Sequence, residues 1–284
     1  MSIELSATPN ATQGTLDREL AEFRAGHAPR RLTHRGLEWR YYAGGRGNQV
    51  LLRLSGALGL AEFSFQQIRL FEQRFRVVTP DYPPVRSLAE MTDGLIAIMD
   101  AERVQRTHVI GGSFGGLLAQ ALVRRAPERV TSLVLSHTGA PDGRRRGLAT
   151  AIVAAMPGGL LRGLLRKRLG RTLDAADPFW RRYFDRAVQE MTKADILSRV
   201  RLQAEFGRQA GWRQGDLAGW PGRVLVIEGE DDPLFPPAAR ARLRALYPAA
   251  AVHRFQGTGH AAAVLKPEEY GEVVTRFLLD EESP

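Results

Sequence analysis

The sequence predicts an α/β fold with a mostly parallel, doubly wound sheet of about eight strands and an inserted helical cap. Short β-branched runs alternate with helical patterns over most of the chain, which is typical of a parallel sheet covered on both faces. The alternation stops between residues 142 and 215, where only helical patterns occur. We therefore predict an α/β core from residues 1–141 and 216–284, with residues 142–215 inserted as the cap.

Strand patterns occur eight times in the sequence. The first two form a pair that turns at Gly36, and six further runs follow. The predicted strands cover residues 30–42 (the pair), 50–54, 75–79, 107–110, 130–135, 223–228 and 251–255. Arg53 is a charged residue inside the apolar run 50–54, and the pattern gives no reason for a charge there.

Helical patterns lie between these strands. Core helices are predicted over residues 15–24, 60–73, 87–103, 237–246 and 267–279, with one more that begins at Phe114. Cap helices are predicted over residues 149–156, 160–169, 178–191 and 194–206. Ser87 and Glu90 have the spacing of a capping box that opens the helix at 87–103.

The composition limits the classes of function. The 284 residues include no cysteine, which excludes disulfides, thiolate metal sites and cysteine nucleophiles. No apolar run approaches the roughly 20 residues that a membrane span requires, and residues 1–14 lack the pattern of a secretion signal. We therefore expect a cytoplasmic protein with no membrane span.

The net charge of +9 comes from the predicted cap. Residues 142–215 contain sixteen Arg or Lys residues against seven Asp or Glu residues, whereas the rest of the chain is balanced. Solvated helix faces rich in arginine are the simplest interpretation, and an anionic substrate, membrane surface or partner is the alternative. Nucleic acid is not expected as a partner, because few aromatic residues alternate with the basic ones.

One stretch carries the strongest functional signal. Residues 111–115 read Gly-Gly-Ser-Phe-Gly, which fits the G-x-S-x-G pattern of a nucleophile at a sharp turn between a strand and a helix. The turn predicts that the hydroxyl of Ser113 is an accessible nucleophile and that the backbone amide of Phe114 donates to a developing oxyanion. A dinucleotide site is disfavoured, because Ser113 replaces the middle glycine of G-x-G-x-x-G.

A serine nucleophile requires a base, and the base requires an acid that orients it. His260 is the best candidate base, because it follows a predicted strand late in the chain and lies in a glycine-flanked loop. Asp232 is the preferred acid, because it follows the preceding strand and gives the order Ser, Asp, His. Asp231 stays an alternative acid, and Asp142 is a third candidate.

Three other residues complete the predicted site. The backbone amide of Ala57, in the loop after the run 50–54, is the candidate for the second oxyanion donor. His137 comes just after the strand at 130–135, and Phe235 lies in the loop after the strand at 223–228. Both are candidates for the wall of a substrate pocket, because ligands gather at the carboxyl ends of parallel strands.

These motifs together resemble those of the α/β-hydrolase fold superfamily, from about residue 30 to residue 280. Residues 111–115 match its nucleophile turn, residues 229–232 with Pro236 resemble its acid loop, and Gly259-His260 resembles its histidine loop. The resemblance implies the α/β-hydrolase fold, with the cap at the usual insertion point. Esterases, lipases and C–C hydrolases share these motifs, so they do not specify one reaction.

A narrower resemblance is to maspardin-like proteins. It rests on the stretch from Ser55-Gly56 to Ile68 and on the stretch from Asp81-Tyr82-Pro83 to Asp93-Gly94. Many superfamily members carry His-Gly where this chain has Ser55-Gly56, and maspardin-like proteins are regarded as adaptors with uncertain catalysis. This resemblance implies an alternative function, a non-catalytic binding or adaptor protein on the same scaffold.

The intact set of candidates favours an enzyme. We predict a carboxylesterase-like serine hydrolase that cleaves a carboxylic ester or a related acyl substrate through an acyl-serine intermediate. Ser113 is the nucleophile, His260 the base and Asp232 the acid. No metal or cofactor is implied. The expected partner is a small-molecule acyl substrate, and a homodimer is an open alternative to a monomer.

Overall fold

Eight strands form one sheet in the computed structural model, which describes residues 11–143, 147–209 and 211–279. The strands are β1 (Arg30–His34), β2 (Leu37–Gly44), β3 (Val50–Leu54), β4 (Arg76–Pro80), β5 (Thr107–Gly112), β6 (Val130–Ser136), β7 (Arg223–Gly229) and β8 (Ala251–Phe255). They lie side by side in the order β1-β2-β4-β3-β5-β6-β7-β8. The strands from β4 to β8 pair in parallel, and only β1 and β2 add antiparallel pairs. The predicted eight-stranded, mostly parallel sheet is confirmed.

Eleven helices are found within the described residues. They are α1 (Ala11–Gly26), α2 (Phe65–Phe71), α3 (Leu88–Ala101), α4 (Phe114–Arg125), α5 (Gly147–Ala155), α6 (Gly158–Gly170), α7 (Pro178–Glu190), α8 (Lys193–Gly207), α9 (Pro237–Leu246), α10 (Ala262–Leu265) and α11 (Pro267–Leu278). None of these helices is both long and apolar enough to cross a bilayer.

Each face of the sheet packs against its own hydrophobic cluster. Because side chains alternate along a strand, Leu51 of β3 faces the cluster formed with α1, α2 and α11, and Leu52 faces the cluster formed with α3, α4 and α9. Fully burying one such Leu or Phe side chain contributes about 2 to 3 kcal/mol. Arg53 is two residues after Leu51 on the same strand, so its side chain lies on the same face of the sheet, towards α2 and α11.

The loops that follow the parallel strands meet at one edge of the sheet. The strands β3, β5, β6, β7 and β8 run in the same direction, so their carboxyl ends lie together. In open α/β sheets this edge is where ligands bind. The topology therefore brings the segments after residues 54, 112, 136, 229 and 255 to one place.

The helices α5 to α8 lie between β6 and β7 and pack on this edge. Trp180 of α7 stacks on Phe65 of α2, with ring centroids 5.4 Å apart. Arg199 of α8 donates from Nη2 to the backbone oxygen of Tyr82 at 2.6 Å, and Ser198 Oγ donates to that of Val85 at 2.7 Å. Stacking thus holds α7 against the core, and hydrogen bonds hold α8 against it.

Some local expectations differ from the structure. The helix predicted at 60–73 is divided into a 3₁₀ turn over Ala61–Ser64 and the short helix α2. Ser87 caps α3 as predicted, since its hydroxyl accepts the amide of Glu90 at 3.1 Å. The reciprocal half of the capping box was predicted wrongly: the Glu90 carboxylate accepts the amide of Arg86, not that of Ser87.

Parts of the predicted domains lie outside the described residues. They are residues 1–10 and 280–284 of the predicted core and residues 144–146 and 210 of the predicted cap. The residues 144–146 are three of the arginines counted in the charge of the cap.

Candidate active site

The turn between β5 and α4 holds Ser113 in a strained backbone conformation, with φ of 52° and ψ of −116°. A residue with a side chain rarely adopts a positive φ, and such strain is concentrated at functional sites. The glycines around it are sterically required. A Cβ on Gly111 would lie 2.4 Å from the backbone oxygen of Gly115, and a Cβ on Gly115 would lie 2.2 Å from that of Leu54. The close contact of strand and helix therefore sets the turn.

Asp232 and His260 lie on neighbouring loops, because β7 and β8 are adjacent in the sheet. His260 Nδ1 and Asp232 Oδ2 are 2.8 Å apart. The other carboxylate oxygen of Asp232 accepts the backbone amides of Leu234 at 2.8 Å and Phe235 at 3.2 Å. With 1 % of its side chain exposed, Asp232 is fixed in the position that orients the imidazole.

Asp231 occupies a different environment from its neighbour. Its side chain is on the exposed side of the loop, and Oδ1 accepts the backbone amide of Gly259 at 3.0 Å. Asp142 lines an outer groove, together with Phe235. Of the three acids considered, Asp232 is the one that hydrogen-bonds to His260.

The pKa of the Asp232 carboxyl is lowered from its ordinary value. Burial is the largest single influence, and it raises the pKa. The hydrogen bond from His260, the charge of His260 and the amide of Leu234 lower the pKa, and their combined effect is larger than that of burial. The carboxylate is therefore ionised at neutral pH and acts as an acceptor toward the imidazole.

Ser113 and His260 line one inner cavity of about 150 Å³. A cavity of about this volume is large enough for a molecule such as benzene. Within the described residues, the hydroxyl of Ser113 makes no hydrogen bond to His260. Catalytic hydrogen bonds are often long before substrate binds and shorten in the complex. The missing hydrogen bond between Ser113 and His260 therefore does not argue against a nucleophile and its base.

Two backbone amides are available beside Ser113. Phe114 is the first residue of α4, and Ala57 follows the end of β3. A Cβ on Gly56 would lie 3.9 Å from the Cβ of Ser113, which shows that the loop after β3 runs alongside Ser113. Within the described part of the chain, neither amide is hydrogen-bonded. This is the arrangement required of donors to a negative charge that develops during a reaction.

Comparison with known proteins identifies the family. A family model described as alpha/beta hydrolase fold matches residues 49–267. The chain belongs to the α/β hydrolase fold family.

Relatives of this α/β hydrolase carry several activities in their names. It is 28% identical over 267 residues to the protein named Putative carbamate hydrolase RutD of Caulobacter vibrioides, covering 86% of this chain and 95% of that one. It is 29% identical over 214 residues to the 2-hydroxymuconate semialdehyde hydrolase of Pseudomonas putida, covering 68% and 70%. The solved structure of carboxylesterase CesB from Bacillus subtilis shares the fold, with a TM-score of 0.74 at 19% identity, covering 96% and 100%.

His137 lines the inner cavity of this α/β hydrolase, at the carboxyl end of β6. Its ring meets that of His260 edge to face at 5.7 Å, and its Nδ1 is 2.9 Å from Ser136 Oγ. Burial, followed by the charge of His260, lowers the pKa of His137 to about 4. The imidazole is therefore neutral at neutral pH. Its Nε2 is buried and has no hydrogen-bond partner among the described residues.

Phe235 packs against the ring of His260. The two rings stack with centroids 5.7 Å apart and planes 23° apart. Phe235 lines a larger outer groove of about 500 Å³, which reaches Ser113 and Phe114 and is bounded by Arg168 and Arg242. The described residues form no cluster of three or more His, Asp or Glu side chains that could hold a metal ion.

Sequence reasoning did not assign three groups that line the inner cavity. Arg53 and Gln67 contribute polar side chains from β3 and α2, and Phe184 of α7 contributes an apolar wall. The signal for Arg53 was present in the sequence as a charge inside an apolar strand. The aromatic pair Tyr183-Phe184 in the predicted cap indicated a residue that faces the pocket or the core, and no comparable signal marks Gln67, because its placement depends on how the helices pack.

Proposed function

We propose that this α/β hydrolase is a carboxylesterase-like serine hydrolase that cleaves a carboxylic ester or a related acyl substrate. The observation that carries the proposal is the buried Asp232, hydrogen-bonded to His260 on the same cavity as Ser113. The strained turn at Ser113 supports the same function, as do the amides of Phe114 and Ala57, which have no hydrogen-bond partner in the described part of the chain.

In acylation, each of these groups has one role. Ser113 Oγ attacks the substrate carbonyl carbon while His260 Nε2 takes the hydroxyl proton. The carbonyl electron pair moves to oxygen, where the amides of Phe114 and Ala57 hold the oxyanion; one such donor is worth about 3 to 4 kcal/mol. The intermediate collapses, the leaving alkoxide takes the proton from His260, and an acyl-serine ester remains.

Deacylation repeats the sequence with water. His260 removes a proton from the water that attacks the acyl carbon, and it returns that proton to Ser113 Oγ as the carboxylic acid leaves. In both half-reactions Asp232 keeps the Nδ1–H tautomer of His260 and stabilises the imidazolium that forms.

The proposal gives residues 142–215 the role of a cap that shapes the substrate site. Leu169 of α6 lines both the inner cavity and the outer groove, as do Ser113 and Ala57. The two spaces therefore meet at the nucleophile. This arrangement suits a substrate with a smaller and a larger part joined at the bond that is cleaved.

Ester cleavage is preferred over the other reactions named for the relatives. A carbamate presents a less electrophilic carbonyl than an ester, because its nitrogen donates into the carbonyl group, and C–C cleavage must expel a carbanion, which is a far poorer leaving group than an alkoxide. An ester needs only modest protonation of its leaving group, so it makes the smallest demand on the groups present.

Labelling with a fluorophosphonate probe tests the proposal. The probe requires only an activated serine and an oxyanion site, so the natural substrate need not be known. We expect the wild-type protein to be labelled and Ser113→Ala and His260→Ala to be unlabelled. Ser64→Ala is a matched control, because Ser64 lines the same cavity away from the turn; it should be labelled.

A folded wild-type protein that resists labelling would contradict the proposal. It would favour the binding or adaptor function implied by the resemblance to maspardin-like proteins. That resemblance, the cytoplasmic location, the absence of a nucleic-acid partner and the homodimer stay predictions.

A further inference from the structure

Arg53 is a buried cation on the wall of the inner cavity. It lies on β3 between Leu52 and Leu54 and is only 7% exposed. Moving a guanidinium out of water into a sheet interior is costly unless a counter-charge and hydrogen bonds compensate. The environment of Arg53 therefore shows whether it is a structural ion or a group reserved for a ligand.

The described residues give Arg53 little compensation. Among the described residues, the guanidinium makes one hydrogen bond, from Nη2 to Gln67 Oε1 at the long distance of 3.5 Å, and its Nε is buried with no partner. It forms no ion pair with a described carboxylate. Tyr82 and Tyr270 are the ionisable groups whose charges would act on Arg53. Burial raises the pKa of both phenols, so both are neutral. The positive charge is unbalanced.

Two other buried polar atoms share this cavity. Ser55 Oγ and His137 Nε2 also lack hydrogen-bond partners among the described residues. Nine buried side-chain nitrogen or oxygen atoms lack a hydrogen-bond partner among the described residues, and three of them belong to residues on the wall of this one cavity, where a bound polar ligand would satisfy them together. The cation among them sets the sign of that ligand.

We propose that Arg53 binds a carboxylate of the substrate, in the part of the substrate that enters the inner cavity. This inference rests on the proposed function and deepens it by naming the substrate class: short esters or related acyl compounds that carry a carboxylate. Ser55 and the neutral His137 supply further hydrogen bonds within the same cavity.

A carboxylate fits better than other anions. The planar guanidinium can donate two parallel hydrogen bonds to the two oxygens of a carboxylate. A carboxylate also carries one negative charge, which balances one arginine, whereas a phosphate dianion would leave a buried negative charge in excess. The cavity of about 150 Å³ restricts the attached chain to a short one.

The sheet register places the carboxylate away from the reacting bond. Arg53 is the strand neighbour of Ile110, and Ser113 lies three positions further along. Three strand residues span about 10 Å, so the backbone of Arg53 lies deeper in the cavity than the nucleophile. Arg53 therefore acts on specificity, as a binding residue at the far end of the substrate part.

Two pairs of esters test the proposal, each pair matched except for the charge. The acyl pair is the p-nitrophenyl monoesters of adipic acid and of adipamic acid. The alcohol pair is the acetate esters of 4-hydroxybutanoic acid and of 4-hydroxybutanamide. The two pairs decide which side of the cleaved bond carries the carboxylate.

We expect the carboxylate member of at least one pair to be preferred over the amide by tenfold or more in kcat/KM. Arg53→Met should lower that preference at least tenfold, mainly through KM, and Arg53→Lys should retain part of it. Arg106→Met is the control, because Arg106 is exposed before β5, at the opposite end of the sheet; it should leave the preference intact. Thermal unfolding of each variant verifies that it is folded.

A preference for neither carboxylate, or a preference that survives in Arg53→Met, would overturn the inference while leaving the hydrolase proposal in place. A binding measurement tests the carboxylate site without requiring turnover. Calorimetric titration of adipate and of adipamide into Ser113→Ala should show tighter binding of adipate, and Ser113→Ala with Arg53→Met should lose that difference. Equal binding of the two compounds to Ser113→Ala would refute the carboxylate site even if the protein is never labelled by a fluorophosphonate.

Discussion

Asp231 and Asp232 are neighbours in the chain, but their carboxylates contact different groups. Asp232 points inward to His260 and to two backbone amides, whereas Asp231 points outward to the amide of Gly259. The difference arises because side chains on successive residues of a tight loop diverge. The two residues therefore give a matched pair of substitutions: Asp232 takes part in the proposed mechanism, and Asp231 does not.

Asp232→Asn should lower kcat for a short p-nitrophenyl ester by about 10³-fold to 10⁴-fold, with little change in KM. The amide preserves the shape of the carboxyl group but neither fixes the tautomer of His260 nor stabilises the imidazolium. Asp231→Asn retains an oxygen that accepts the amide of Gly259, so only a few-fold effect is expected. Steady-state kinetics at neutral pH checks both values, and an equal loss in the two variants would argue against Asp232 as the acid.

At the scale of elements, the site depends on the contact between the start of α4 and the end of β3. Gly115 lies where the helix meets the backbone oxygens of Leu54 and Ser55. The same contact brings the loop that contains Ala57 alongside Ser113. Packing of these two elements thus determines both the turn at Ser113 and the position of the two proposed oxyanion donors.

Gly115→Ala should therefore destabilise the fold by about 3 kcal/mol or more, because the added Cβ would lie 2.2 Å from a backbone oxygen that cannot move cheaply. Gly112→Ala is the control in the same turn. A Cβ there meets nothing within 4 Å, so its effect should stay within about 1 kcal/mol. Urea unfolding measures both. Similar stabilities for the two variants would show that α4 can shift away from β3 without cost.

The sequence predicted the elements more fully than their contacts. The strands were recognisable because buried parallel strands are short β-branched runs, and the motif at Ser113 was recognisable because close packing permits only glycine at Gly111 and Gly115. The half of the capping box at Glu90 was predicted wrongly because its carboxylate accepts the amide of Arg86, one residue before the predicted donor Ser87. Local spacing does not decide which of the two amides the carboxylate accepts.

The inner cavity was beyond sequence reasoning for a different reason. Its wall combines Arg53 from a strand, Gln67 from a short helix and Phe184 from the cap, so it exists only once three elements have packed together. A charge within an apolar strand could be noticed in advance, but the absence of a counter-charge could not. A counter-charge for a buried cation can come from any part of the chain, so the sequence alone does not show whether one is present.

The basic excess of the proposed cap is partly compensated on the surface of the molecule. Arg166 and Arg181 both pair with Asp185, and Arg182 of α7 pairs with Asp17 of α1. Exposed pairs of this kind contribute at most about 1 kcal/mol each. The surface charge of the cap is therefore a weak determinant of stability, in contrast to the buried groups at the edge of the sheet.

The buried His137 should make global stability depend on pH. Its pKa is about 4 in the folded protein and near the ordinary value of 6.5 in the unfolded chain. Between these values the unfolded chain binds a proton that the folded protein excludes, so the free energy of unfolding should decrease as the pH falls from 6.5 towards 4. The decrease attributable to His137 is about 3 kcal/mol. The lowered pKa of Asp232 acts below the ordinary value of 3.8 and lies outside this window.

Urea unfolding of the wild type and of His137→Gln at pH 7, 5.5 and 4.5 isolates this effect, because glutamine does not titrate. The stability of the wild type relative to the variant should be greatest at pH 7 and should fall progressively at the two lower values. The loss arises in the unfolded state, which becomes protonated, and not in any contact of the folded protein. A difference between the two proteins that stays constant from pH 7 to pH 4.5 would mean that His137 can take up a proton in the folded state, and the neutral hydrogen-bonding role assigned to it beside Arg53 would then be wrong.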